Sequence, residues 1–552
     1  MTGLLRFTLS TSMLVALALT LLREAVGTEK RHSTNSARPW SPSVAGVWFL
    51  AALLAAASEL AHAQFDNTPA PAQPDNPIDQ ATANPIRDYG ATKILQGPLR
   101  SLERQPLPET DAEAGVLQTR SLSSWPRLYR DGGLLVTGSL TGAVGLYTMS
   151  NNDFDKPAAL APPGYKSNPN WGEGFVEPGI AATYAVGGGA SFYGGYAWMG
   201  TATRGTDNAG NGNTWHGDNE RLYGGLKWRD AARGLLVDVS YGQHDFEVGN
   251  GMLLAKGASN GVQRGANQMG PRAAWANAAL ATLSVGDFKL QGFWLKPNDS
   301  SAANTGTRLE GVNLEWNSTG PVRLGAMWIH VPDSEIVTRD GLDVYDLRAR
   351  WHPLWASPNV WLQAEYAWQR KSNVEASGWL LQLNYNAHDL AWKPLFDLRY
   401  ASLSGDKPGT SKWEGFDPLY FGGSNPNWYQ GQIGSTIFNN TNMHVASAGV
   451  TLTPDARNIV ALRYLYFAAA QTNSPLSIPA AGQPPPVGGG VPSKSLANEF
   501  DTSWTYVIDK QLNVNGFAAY AAPGAGFKNL YAATGGSAQG WWFFGAQFNF
   551  SY

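Results

Sequence analysis

The chain has 552 residues, 43% of them apolar and only 15% charged, with a net charge of -3 and no cysteine. Near-neutrality gives no footing for nucleic-acid binding, and the missing cysteines remove disulfides, thiolate metal sites and cysteine nucleophiles. Mean hydropathy is -0.26, yet 62 glycines and 12% aromatics fit a large β-structure better than a soluble domain, in which about a quarter of residues are charged.

In chain order, Lys30, Arg31 and Arg38 precede an apolar run from Val44 to Ala57 that ends in Ala61-His62-Ala63. This is the layout of an export signal, with cleavage expected after Ala63 and Gln64 as the new N-terminus. The earlier apolar stretch Met13 to Leu22 stops at Arg23, so residues 1–37 read as a long basic region or an upstream start. Residues 64–130 follow as a periplasmic arm. Its first part is rich in Pro, Asn, Asp and Ala, and its second, 85–130, is open between plug, tether and first strand. Past the leader, no uncharged apolar stretch reaches the ~20 residues of a spanning helix.

From 131 to 552 the pattern changes to segments of alternating polarity, about eighteen in all, the first near 133–149 and the last near 539–552. Trp379, Leu381, Leu383 and Tyr385 alternate with Leu380, Gln382, Asn384 and Asn386. Phe500, Thr502, Trp504 and Tyr506 alternate with Glu499, Asp501, Ser503 and Thr505. The fold class expected is therefore all-β: an antiparallel transmembrane barrel of about eighteen strands behind a cleaved signal peptide. Long connections such as 150–176, 250–271, 407–441 and 472–496 alternate with short turns such as Val186-Gly187-Gly188-Gly189 and Thr453-Pro454-Asp455-Ala456-Arg457, less cleanly in the middle of the chain. No helix-free alternative closes its edges in lipid.

The last segment places Trp542, Phe544, Ala546, Phe548, Phe550 and Tyr552 on one face and Trp541, Phe543, Gly545, Gln547, Asn549 and Ser551 on the other. An ending of Gly-x-x-aromatic-x-aromatic-x-aromatic resembles the signal by which the barrel-assembly machinery recognises bacterial outer-membrane proteins. Counted backwards, that strand is the last of an even set and descends into the periplasm, with outer-membrane lipid as the barrel's surroundings.

With the aromatic face towards lipid, the strand charges face the lumen. They are Arg221, Lys227, Lys289, Arg323, Arg348, Arg350, Arg399 and Arg463, against Asp238, Glu315, Asp346, Glu365, Asp397, Glu499 and Asp501. A basic group facing lipid near the midplane would cost about 2–4 kcal/mol. Two roles are open to them: pairing across strands to brace the wall, or lining a constriction where a guanidinium grips anionic groups bidentately. The residues expected to line the pore are Arg348, Arg350, Arg399 and Arg463, with Asp346, Asp397, Glu499 and Asp501 as partners or counter-selective groups. The loop 407–441 is the expected lid. No catalytic constellation, metal spacing or cofactor motif stands out among eight scattered histidines. His244, His330 and His444 read as loop or wall residues, and a barrel hydrolase stays as the rival.

Ser404-Gly405-Asp406, then Gly415-Phe416-Asp417-Pro418-Leu419-Tyr420-Phe421-Gly422, then Trp428-Tyr429-Gln430-Gly431 resemble the alginate-export family of outer-membrane proteins. Glu499-Phe500-Asp501 and Ala522-Pro523-Gly524 extend the likeness, whose centre is the loop motif Phe416, Asp417, Pro418 and Leu419. The resemblance implies an eighteen-stranded monomeric barrel, without cofactor, that passes a polyuronate or another polar solute through the outer membrane by an arginine-rich constriction. The near balance of acids and bases in the lumen speaks against strong anion selectivity. A general small-solute porin is the other channel reading.

Overall fold

The computed structural model describes residues 127–230, 234–317, 321–353, 359–422, 428–478, 489–509 and 511–551. The leader with its expected cleavage site, the arm up to 126, and Tyr552 lie outside the described residues. The strands are β1 (Arg127–Asp131), β2 (Leu134–Ser150), β3 (Asn170–Gly187), β4 (Ala190–Gly205), β5 (Thr214–Asp230), β6 (Leu235–His244) and β7 (Trp275–Val285). They continue as β8 (Phe288–Lys296), β9 (Arg308–Trp316), β10 (Val322–Asp333), β11 (Asp343–Trp351), β12 (Val360–Lys371) and β13 (Val374–Asn386). The last are β14 (Leu395–Leu403), β15 (Met443–Leu452), β16 (Asn458–Ala469), β17 (Ser495–Val507), β18 (Leu512–Pro523) and β19 (Trp541–Ser551).

Each strand pairs antiparallel with the next, and β19 returns to β2, with Trp542 opposite Ser150 and Ser551 opposite Thr141. Eighteen strands, β2 to β19, thus close a barrel. Short β1, the end of the segment left open in sequence, pairs with Leu134 to Thr137. It covers the stretch of β2 that β19 does not reach. Closure satisfies every ladder internally, which a β-structure in hydrocarbon requires.

The period-two pattern decides what faces where. On β19, Trp542, Phe544 and Phe548 are exposed, while Trp541, Phe543, Gln547 and Asn549 are buried. On β11, Tyr345 and Leu347 point outward and Val344 and Asp346 inward. An outer wall of Val144, Leu146, Ile180, Leu222, Leu381 and their like would be costly in water at about 25 cal/mol per Å². Against lipid that cost vanishes.

The connections 151–169, 245–274, 404–442, 470–494 and 524–540 all emerge at one end, and tight turns such as Gly188-Gly189 and Gly286-Asp287 at the other. Long loops are the extracellular side of such barrels. Ser372-Asn373 joins β12 to β13 directly at the long-loop end, which blurs the alternation in mid-chain. Strand β18 stops at Pro523, which has no N–H to continue the ladder. Ala525–Ala532 is a helix instead, its Phe527 ring 4.8 Å from Phe154 of the 151–169 loop.

Two loops fold back into the barrel. Loop 245–274 buries Phe246, Val248, Met252, Leu253 and Leu254; loop 404–442 buries Phe416, Leu419, Trp428, Tyr429 and Ile433. They meet in a short parallel pairing, in which Tyr420 N–H donates to Leu253 O and Ala255 N–H to Tyr420 O, both at 2.9 Å.

Candidate functional site in the barrel lumen

The inward-facing strand charges gather at several places: Arg221 pairs with Glu177 and Asp245, Lys227 lies opposite Asp238, and two further patches each sit beneath one inward loop. On β14 to β17, Arg463 donates to both oxygens of Asp397 at 2.5 and 2.8 Å. The partners are two strands apart, and Gly449 stands between them in register. A Cβ on Gly449 would lie 2.6 Å from the Asp397 carboxylate and 2.8 Å from the Arg463 guanidinium carbon. Arg463 also lies over the Tyr429 ring at 5.1 Å, and the Tyr429 hydroxyl donates to Asp501.

Glu499 and Asp501 hold the 404–442 loop by its backbone. Ile433 and Gly434 N–H donate to Glu499 at 2.7 Å, and Gln432 N–H to Asp501 at 3.1 Å. The loop turns here at Gly431, with φ of +84° and room for no more than hydrogen, since a Cβ would sit 2.5 Å from Glu499 Oε2.

The second patch repeats the device. Arg348 on β11 reaches across Gly325 of β10 towards Glu315 of β9 (3.9 Å), and contacts Asp346 and Asn313 on the way. A Cβ on Gly325 would lie 2.8 Å from Arg348 Nη2. Lys289 completes the group, 2.5 Å from Glu315.

The loop motif is an anchor. Asp417 is buried and takes two hydrogen bonds from Arg339 of the 334–342 loop, at 2.8 and 2.6 Å. Gln369 of β12 clamps its backbone from both sides, and Asp417 Oδ1 accepts Leu419 N–H at 2.9 Å, where Leu419 has φ of +49°. Phe416 packs against Gly378, and Pro418 is buried with it. Nearby, burial pushes the Asp299 carboxyl up to about 6, against the pull of Arg339 and Arg264.

Arg399 differs from the other lumen arginines. It is buried under Trp428, its guanidinium 5.6 Å from the ring, and it donates to Gln430 at 3.3 Å. Among the described residues it has no ion-pair partner. Its Nε, Trp428 Nε1 and Ser447 Oγ are all without a hydrogen bond. Register then shows what sequence reading missed. Arg323 lies opposite Arg350, Arg350 opposite Gln363, Gln363 opposite Gln382, and Gln382 opposite Arg399. In register, five neighbouring strands thus present Arg, Arg, Gln, Gln and Arg to the lumen, with no carboxylate among these five positions. At ~4.8 Å between strands the ladder spans roughly 19 Å. It begins near the short-turn mouth, at the second residue of β10, and ends under the Trp428 loop.

A family model described as alginate export matches residues 231–540. The chain belongs to the alginate export family. This alginate-export barrel is also similar in fold to solved structures from Pseudomonas aeruginosa. The outer membrane protein OprD shares 11% identity over 78% of this chain and 96% of that one, with a TM-score of 0.46. OpdO shares 13% over 76% and 97%, also at 0.46, and OccK8 (OprE) 11% over 76% and 98%, at 0.45. Among curated proteins none matches it in sequence. As a closed barrel of this family, the protein is a channel of the bacterial outer membrane.

The hydrolase rival finds little support. Ser240 Oγ and His244 Nε2 are 3.5 Å apart, but both side chains are buried, and the other ring nitrogen faces a backbone oxygen, Asp245 O, rather than a carboxylate. Among the described residues no group of three His, Asp or Glu could hold a metal.

Proposed function

We propose that the barrel passes a polar, anionic carbohydrate of the polyuronate type through the outer membrane, without cofactor and as a monomer. The observation that carries this is the ladder Arg323–Arg350–Gln363–Gln382–Arg399. Like charges directly opposite on neighbouring strands are unfavourable, so Arg323 facing Arg350 favours a lumen that meets anions. Guanidinium groups take carboxylates by charge-assisted, bidentate bonds, and the glutamines between them replace lost hydration at hydroxyls. Passage needs such contacts to be many and individually weak.

Within this reading Arg323 and Arg350 touch the solute, while Arg399, buried under Trp428, supplies positive charge at the ladder's inner end. Arg348 and Arg463, with Asp346, Asp397, Glu499 and Asp501, shape the constriction by holding the two loops and the wall. The leader to Ala63 delivers the chain, the arm 64–130 stays periplasmic, and the assembly machinery reads the last strand of the 131–552 barrel. In a planar bilayer, uronate oligomers should interrupt the ion current, and Arg323→Gln/Arg350→Gln should shorten the interruptions about tenfold. An undisturbed current would rule the reading out.

A further inference from the structure

At the long-loop end lies a chamber of about 430 Å³, bounded by loops 151–169, 206–213 and 245–274 and by Ser435 and Thr436 of the inward loop. That is within the size of small-molecule sites. Its lining is unlike the ladder. Asn152, Asn208, Asn267 and Gln268 bring carboxamides from three loops to one space, beside Tyr165 and Lys256. A carboxamide offers a donor and an acceptor side by side, which matches a pair of neighbouring hydroxyls.

The wall is held in place before any ligand arrives. Asn152 Nδ2 donates to Asn208 O at 3.0 Å and to Lys166 O at 3.3 Å. Glu173 accepts the N–H groups of Gln268 and Met269 at 3.1 and 2.9 Å, which fixes the strip carrying Asn267 and Gln268. The Tyr165 hydroxyl donates to Asn152 O at 2.5 Å and accepts Lys156 N–H at 3.0 Å, so its ring is a set surface. Burial pushes that phenol up to about 12, and it stays neutral. The Gln268 carboxamide itself has no partner among the described residues.

Charge is balanced. Asp153 pairs with Lys156, and Lys256 donates to Gly270 O at 3.2 Å. The chamber therefore has one cation and one anion among its lining groups, and hydroxyls are its selective feature.

We propose that this chamber is a second, outer saccharide site, which binds a sugar through its hydroxyls whether or not it carries a carboxylate. It is a mouth site and does not depend on the ladder. Calorimetric titration of the detergent-solubilised full chain with a uronate trimer and with an uncharged trisaccharide tests it. Both sugars should bind, with affinities within about threefold of each other. Asn267→Leu/Gln268→Leu should weaken both at least tenfold, with the β-sheet circular-dichroism spectrum and its thermal transition unchanged as the check on folding. Arg350→Gln should leave the uncharged sugar's affinity where it was. The proposal is overturned by binding of the uronate alone, by binding indifferent to Asn267→Leu/Gln268→Leu, or by no binding of either sugar. If the barrel binds both sugars as described and yet carries no current, the transport reading falls and this one stands.

Discussion

Arg463 and Asp397 sit two strands apart and join through two hydrogen bonds laid over Gly449, the strand between them contributing no side chain. Arg348 and Glu315 stand in the same relation across Gly325. A Cβ at either glycine enters occupied space, and overpacking of this kind costs about 1–3 kcal/mol. Gly449→Ala and Gly325→Ala should each lower the urea midpoint for the folded barrel in vesicles. Gly516→Ala, whose Cβ would meet nothing nearer than 4.0 Å, should leave it unchanged.

The Arg339–Asp417 pair pins the inward loop from above. Both side chains are buried, and stripping one partner from a buried pair costs about 3–5 kcal/mol. Asp417→Asn should therefore release the 404–442 loop, seen as larger and noisier single-channel conductance and faster amide exchange over residues 428–442. Arg339→Met/Asp417→Leu should exchange more slowly than either single variant, because no lone charge is left behind.

Ion selectivity reports the ladder. Arg323→Gln/Arg350→Gln removes two lumen cations and leaves the paired acids in place. The reversal potential in a salt gradient should move towards cation preference, and more so at 0.05 M than at 1 M salt, where screening lengths are about 3 Å.

Asp299 gives the loops a pH dependence. Its folded pKa of about 6 lies above the unfolded value of about 3.9. The folded loop thus favours the protonated form. Stability is highest below pH ~4, falls as pH rises to ~6, and is level above that. The exchange-derived opening free energy of loop 297–307 should follow this course in the native protein. Asp299→Asn should flatten it.

Much of this was legible in the chain. The alternation at Trp542, Phe544 and Phe548 gave the outward face, and the period of two on every strand gave the count, because lipid on one side and water on the other leave no freedom of register. Asp417 stood out as a motif, but its partner Arg339 is 78 residues away, and no periodicity links two loops. The ladder was hidden for a like reason: Arg323, Gln363 and Arg399 become neighbours only through strand register. In sequence Arg463 and Arg348 stayed open between pairing across strands and lining a constriction, since nothing local says that a glycine on the intervening strand opens the way to an acid two strands off.

The central claim is that the lumen carries anionic sugar along the arginine ladder. It is tested most directly by efflux of labelled oligosaccharides from vesicles holding the purified barrel. A uronate trimer should leave several-fold faster than an uncharged trisaccharide of the same length, and Arg323→Gln/Arg350→Gln/Arg399→Gln should erase the difference. Equal efflux of the two sugars through the native barrel, or a preference that survives the triple substitution, would contradict it.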